Sequence, residues 1–254
     1  MRYKIFLIVL ICLNLTLCAS PQKKIQKARD KDPQYQYNMG LFYLSEGNID
    51  EAIKYLNDSL SLKPDYDHAL TALGLAYSMK GDFQESIKYL QKSLNINPSL
   101  TEAHNYLGVA YQELGLLDEA EREFRIAIMD QNYASRFLSY YNLARLCFSK
   151  NMLKEALEYI DKALELYKNF RMAYNLKGVI LEKQLKYDEA IESYKKALHN
   201  LEQDVDINFN LAVAYFKNNE LSKAKEIFEK IYPRVTDSNM KTQIEKYLSI
   251  LDRK

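Results

Sequence analysis

The stretch Ala103–Ile128, AHNYLGVAYQELGLLDEAEREFRIAI, reads as two amphipathic helices joined by a turn. Leu107, Gly108 and Tyr111 recur at helical spacing in its first half; Ala120, Phe124 and Ala127 do so in its second. Gly115 stands between them, where one helix must end. The layout recurs upstream, as MGLFYLSEGNIDEAIKYLNDSL from Met39 and LGLAYSMKGDFQESIKYLQKSL from Leu73. Downstream it returns as NLARLCFSKNMLKEALEYIDKAL from Asn142, KGVILEKQLKYDEAIESYKKAL from Lys177 and NLAVAYFKNNELSKAKEIFEKI from Asn210.

The copies keep register. The small residue of each first helix is Gly40, Gly74, Gly108, Ala144, Gly178 and Ala212, at intervals of 34, 34, 36, 34 and 34. The small residue of each second helix, Ala52, Ser86, Ala120, Ala156, Ala190 and Ala224, repeats those intervals. All 7 glycines fall on repeat positions: four lie mid-helix, and Gly47, Gly81 and Gly115 lie in turns. A mid-helix glycine costs about 1 kcal/mol relative to alanine. The spacing therefore predicts that the paired helix passes too close at these points for a side chain.

A 34-residue helix–turn–helix period resembles the tetratricopeptide repeat family, over residues 33–236. The resemblance implies an all-α fold, a right-handed superhelical solenoid of six repeats (33–66, 67–100, 101–134, 137–170, 171–204 and 205–236) with a capping helix in 237–254. Stacked repeats share one continuous, one-dimensional core, so a single superhelical domain is expected. Pro64 and Pro98 close the first two repeats, where a helix must stop. The two extra residues within Asp130–Arg136 predict a longer loop, or about half a turn of extra helix. Asn151 and Asn219 take the turn position, since asparagine tolerates the left-handed conformation. Pro233 ends the last second helix, and Met240, Ile244, Tyr247, Leu248 and Leu251 share one face of the cap.

The amino terminus differs. Arg2 and Lys4 precede Ile5–Leu17, apolar except for Asn14 and Thr16. That run is shorter than the roughly 20 residues of a membrane span and has the length of a signal-peptide core. Leu15-Thr16-Leu17-Cys18 resembles a bacterial lipobox, which implies a cleaved signal of residues 1–17 and a lipid on Cys18. Leu17 departs from the small residue usual before the cysteine. Cleavage near Ala19 or Ser20, and an uncleaved anchor, are the alternatives. Ala19 is not the aspartate that resembles an inner-membrane retention signal, so the periplasmic face of the outer membrane is the expected site, with periplasm or inner membrane as alternatives. Residues 18–32 read as a polar tether, or else as a basic patch that touches anionic headgroups.

A net charge of +1 over 254 residues, with no basic block, argues against nucleic acid as a partner. Loss of Arg2 and Lys4 with the signal would leave −1. Of the 3 cysteines, Cys12 leaves with the signal, Cys18 carries the lipid, and Cys147 takes a core position held by Tyr43, Tyr77, Tyr111 and Tyr215 elsewhere. No disulfide, metal or cofactor is implied. His68, His104 and His199 lie in different repeats, without a glycine-rich phosphate loop. Glu119, Glu121 and Glu123 read as a solvated face. The chain is thus expected to bind protein rather than to catalyse.

A second apolar face on the first helices carries Tyr37, Leu41 and Leu44, then Leu75, Val109, Tyr141 and Phe148, Val179, and Phe209, Val213 and Phe216. In the tetratricopeptide family such a stripe resembles the lining of a groove that takes a partner's helix or extended segment. The valines and leucines also suit packing between neighbouring repeats. The rings of Tyr141, Phe148, Phe209 and Phe216 are larger than such packing needs. They place the principal site in the carboxy-terminal half, with Arg145 and Glu182 setting polarity.

With the lipobox, six repeats, and Tyr133, Arg136 and Asn142-Leu143 at the third junction, the chain is similar to type IV pilus biogenesis and stability lipoproteins. That resemblance implies a secretin subunit as partner and a role in secretin delivery and assembly. A periplasmic adaptor for peptidoglycan enzymes or outer-membrane assembly factors is the rival reading. A cytoplasmic interaction protein is the third.

Overall fold

The computed structural model describes residues 25, 26 and 28–253. The signal peptide, Cys12 and the proposed lipidation site Cys18 lie outside the described residues. The chain divides into two compact units, residues 1–116 and 117–254. The first holds α1 (Pro33–Ser45), α2 (Ile49–Leu62), α3 (Asp67–Lys80), α4 (Phe83–Ile96) and α5 (Thr101–Glu113). The second holds α6 (Leu117–Met129), α7 (Arg136–Ser149), α8 (Leu153–Leu166), α9 (Arg171–Lys183), α10 (Tyr187–Ala197), α11 (Val205–Lys217), α12 (Leu221–Ile231), a 3-10 turn (Tyr232–Arg234) and α13 (Ser238–Leu251). The division falls at the turn inside the third repeat, where the sequence, read as one domain, shows no linker. A repeat array has no central core, only neighbour contacts, so it can part at a turn.

First and second helices differ in how much of their surface is covered. In α3 almost every residue from Ala69 to Ala76 is buried, because helices flank it on several sides. In α4 only Ser86, Leu90 and Ser93 are buried, one line on an otherwise polar helix. The small positions of the second helices are fully covered: Ala52, Ser86, Ala120, Ala156, Ala190 and Ala224 are each 0% exposed. The mid-helix glycines behave as their spacing predicts. A Cβ on Gly40 would lie 2.6 Å from Leu56 Cγ, on Gly74 2.5 Å from Leu90 Cγ, and on Gly178 2.5 Å from Tyr194 Cε1.

All six intra-repeat turns close alike. The N–H two or three residues past the helix end bonds back to a carbonyl of the last turn: Asn48 to Tyr43, Asp82 to Tyr77, Leu116 to Tyr111, Met152 to Cys147, Lys186 to Leu181 and Glu220 to Tyr215. The residue just before that donor is left-handed: Gly47, Gly81 and Gly115, then Asn151, Leu185 and Asn219. Leucine at 185, with φ 62°, is a substitution the sequence pattern did not flag. The two extra residues of the third junction lengthen a loop: residues 130–135 connect α6 to α7, where 63–66 connect α2 to α3. The end of the expected tether is not extended. Residues 25–26 and 28–29 are helical, Gln36 donates to the Arg29 carbonyl at 3.3 Å, and the Arg29 guanidinium lies 5.4 Å from the Tyr35 ring centroid.

Candidate protein-docking groove

In the first unit the outer faces of α1, α3 and the start of α5 enclose a cavity of about 280 Å³. Helical spacing puts Tyr37 and Leu41 on one side and Thr71 and Leu75 beneath, with Glu102 and Tyr106 opposite. Thr71 and Ala72 are buried and form the floor, whereas Leu41 is 39% exposed and stands at the mouth. The Tyr37 ring packs on Tyr66 with centroids 5.2 Å apart, and the Tyr66 hydroxyl donates to Gln34 Oε1 at 2.6 Å. Tyr106 donates to Glu102 Oε1 at 2.8 Å. These bonds fix the rings before any partner arrives.

Burial, aided by Tyr66 and the charges of Glu102 and Asp67, pushes the Tyr37 hydroxyl up to about 12, so it stays a neutral donor. Burial alone would raise the Asp67 carboxyl, but bonds from the His68 ring, Asn97 Nδ2 (2.9 Å) and the His68 N–H (2.8 Å) hold it below the ordinary carboxylate value. The groove thus offers apolar walls with the His68 ring and one carboxylate, Glu102, among its lining, and that carboxylate suits an apolar side chain flanked by a cation.

The residues singled out in the sequence divide between groove and interior. Tyr37 and Leu41 line the cavity. Leu44 does not: at 7% exposure it packs with Ala52 and Leu56, because three residues past Leu41 the helix has turned towards α2. In the second unit the large aromatics are half-buried, each packed with one side against a core cluster. Tyr141 sits 5.0 Å from Phe170, and burial raises its hydroxyl. Arg145 lowers that hydroxyl from close by. Phe148 packs on the cluster around Cys147, with the Lys183 ammonium 5.1 Å from its centroid. Phe209 meets Phe228 at 6.0 Å, and Phe216 meets Tyr247 of α13 at 5.0 Å. Glu182, 16% exposed, accepts from Lys217 at 2.6 Å and from the Tyr194 hydroxyl at 3.2 Å, so it acts as an internal counterion. Size alone marked these rings as anchors; the sequence could not show that Tyr247 and Phe170 would cover two of them. Conversely Thr71, Glu102 and Tyr106 were missed, although Glu102 and Tyr106 stand four apart on one helix face. His104 bonds the Pro98 carbonyl at 3.0 Å. Cys147 is buried, and burial raises its thiol. Among the described residues no group of His, Cys, Asp and Glu could hold a metal ion, and no helix is long and apolar enough to cross a membrane.

Tetratricopeptide repeat family models match residues 33–99 and 71–137, and the C-terminal ARM domain of tetratricopeptide repeat protein 21 matches residues 129–246. A TPR repeat-containing protein of Methanocaldococcus jannaschii is 36% identical over 94 residues, 37% of this chain. The human protein O-mannosyl-transferase TMTC3 is 29% identical over 146 residues, 52% of this chain. The chain spans 16% of the length of each. Among solved structures, Pseudomonas aeruginosa PilF superposes with a TM-score of 0.76 at 20% identity, over 86% of this chain and 99% of that one. PilW, described as a widely conserved type IV pilus biogenesis factor, gives 0.77 at 15% identity, over 84% and 97%. YrrB, described as a TPR protein with an unusual peptide-binding site, gives 0.57 at 19% identity, over 75% and 97%. At these identities the structures speak for the fold. With the six-fold turn, the interlocking glycines and family matches that together run from residue 33 to 246, the chain belongs to the tetratricopeptide repeat family.

Proposed function

We propose that this protein is a lipid-anchored, non-enzymatic scaffold of the bacterial outer membrane that assists type IV pilus secretin assembly by holding a segment of the secretin subunit in the groove of its first unit. The observation that carries the docking reading is the cleft between Tyr37, Leu41, Leu75 and Tyr106, apolar in its walls with the Glu102 carboxylate among its lining. A cavity of about 280 Å³ takes one or two side chains, so the partner contributes a short apolar motif with a Lys or Arg beside it. The pilus reading is supported by the likeness to PilF and PilW over nearly all of those chains. The anchor is supported by the lipobox-like Leu15-Thr16-Leu17-Cys18. Two acyl chains on Cys18 would hold the protein durably, at about 0.8 kcal/mol per buried methylene.

The test combines Leu41→Arg with Leu75→Arg in the full chain. The pair is expected to abolish binding of purified secretin subunit and leave secretin unassembled in cells; since Leu75 packs partly on the core, Leu41→Arg alone, at the exposed mouth, serves if the pair lowers the melting temperature. Secretin binding at wild-type strength would overturn the groove. For the anchor, palmitate labelling that persists unchanged in Cys18→Ala would overturn lipidation at that residue.

A further inference from the structure

The second unit holds a larger cavity, about 770 Å³, between the loop before α9 and the end of α10. That is within the range of small-molecule sites. Its lining includes Lys168, Arg171, Lys195, Lys196 and His199, with Tyr174 as one wall and no Asp or Glu. The Lys196 ammonium lies 5.6 Å from the Tyr174 ring centroid. Lys195 is partly neutralised by Glu192, outside the lining, at 2.7 Å.

The repeat supplies an internal control. The same register positions 104 residues earlier are Pro64, Asp67, Leu70, Gln91, Lys92 and Asn95. There the first unit has a cavity of about 500 Å³, lined by Pro64, Leu70, Lys92 and Asn95 among others, with Lys92 as its one cation. The fold therefore makes this hollow without a concentration of positive charge. Gathering four more basic side chains at one copy costs mutual repulsion, and the architecture does not require it.

We propose that the α9–α10 cavity is a binding site for a phosphate-bearing ligand. A phosphate group brings up to two negative charges and three acceptor oxygens. Several ammonium groups and the fork of Arg171 can share these, whereas a single carboxylate offers two oxygens and one charge. Tyr174 and Leu201 add an apolar flank for the body that carries the phosphate. That body is either a free small molecule or a phospholipid headgroup. The site is built from residues of the second unit, shares none with the docking groove and does not depend on it.

The full-length protein is titrated with pyrophosphate and with citrate by calorimetry, at low and physiological ionic strength. It is also floated with vesicles of equimolar phosphatidylglycerol and phosphatidylcholine, against phosphatidylcholine alone, so that a lipid anchor contributes equally to both. The variants are Arg171→Gln with Lys196→Gln, and Lys92→Gln as control; Lys168→Gln with Lys195→Gln serves if the first pair lowers the melting temperature. Pyrophosphate binding that weakens about tenfold or more in the double variant and not in Lys92→Gln supports a free phosphate ligand. A preference for phosphatidylglycerol vesicles lost in the same variant, without pyrophosphate binding, supports a headgroup. Binding to neither, binding unchanged in the double variants, or citrate bound as tightly as pyrophosphate would overturn the proposal.

Discussion

Single residues separate what the repeat demands from what it tolerates. Ser86 fills a position held by alanine in the other five repeats, and its hydroxyl is buried with no hydrogen-bond partner. Ser86→Ala removes an unpaired polar group without opening a cavity, so it should stabilise the protein by about 1 kcal/mol. Urea unfolding checks this; a loss of stability would mean the hydroxyl has a partner. Leu185 occupies the left-handed turn position with φ 62° and is 71% exposed. The conformation costs a leucine about 1–2 kcal/mol, and little burial offsets it. Leu185→Asn should gain about 1 kcal/mol, read as a rise in melting temperature. Gly74 gives the opposite sign. Alanine there would gain about 1 kcal/mol of helix propensity on an open surface. Its Cβ, however, would lie 2.5 Å from Cγ of the fully buried Leu90. Overpacking of this kind costs about 1–3 kcal/mol, so Gly74→Ala should destabilise.

At the scale of elements, polar side chains tie second helices to first. Ser59 donates to the Pro33 carbonyl at 2.7 Å and Ser93 to the Asp67 carbonyl at 2.8 Å, one bond at the same register in two repeats. Asp67 adds a pH-dependent tie, since it gathers His68 and Asn97 around the start of α3. Its folded-state carboxyl lies below the ordinary value of 3.8. Its contribution is therefore complete above that value and fades as the pH falls through the lower, folded one. Asp67→Asn should destabilise at neutral pH and differ little from wild type well below pH 3.8, in urea unfolding at both. The turns, Leu185 apart, the paired helices and the close glycines were legible in the sequence because each rests on a local rule that recurs from repeat to repeat. The groove was only half legible. Periodicity gives the face on which Phe216 and Leu41 lie, but not whether another element covers that face. Tyr247 lies between Phe216 and Phe228, 5.0 Å from each, whereas Leu41 stays 39% exposed. Which ring meets which is a tertiary fact, set by α13 and not by the repeat.

At the scale of the whole molecule, buried apolar side chains among the described residues gather in separate clusters, around Leu56 and Leu73, around Leu90 and Leu107, around Cys147 and Ile160, and around Tyr194 and Phe228. Each cluster lies within one of the two compact units. When stability is a sum of local terms, damage is local as well. Gly74→Val would drive a branched side chain against Leu90 in the first unit. Native-state hydrogen exchange should then show faster exchange across α1 to α5 and much smaller changes in α8 to α13. A change in α11, α12 and α13 as large as that in α3 and α4 would mean that the chain unfolds as one cooperative body. The outcome also bears on the two binding proposals. If the units open independently, damage to the groove between Leu41 and Tyr106 leaves the Tyr174 cavity in place. A ligand held there would then raise protection in α9 and α10 alone.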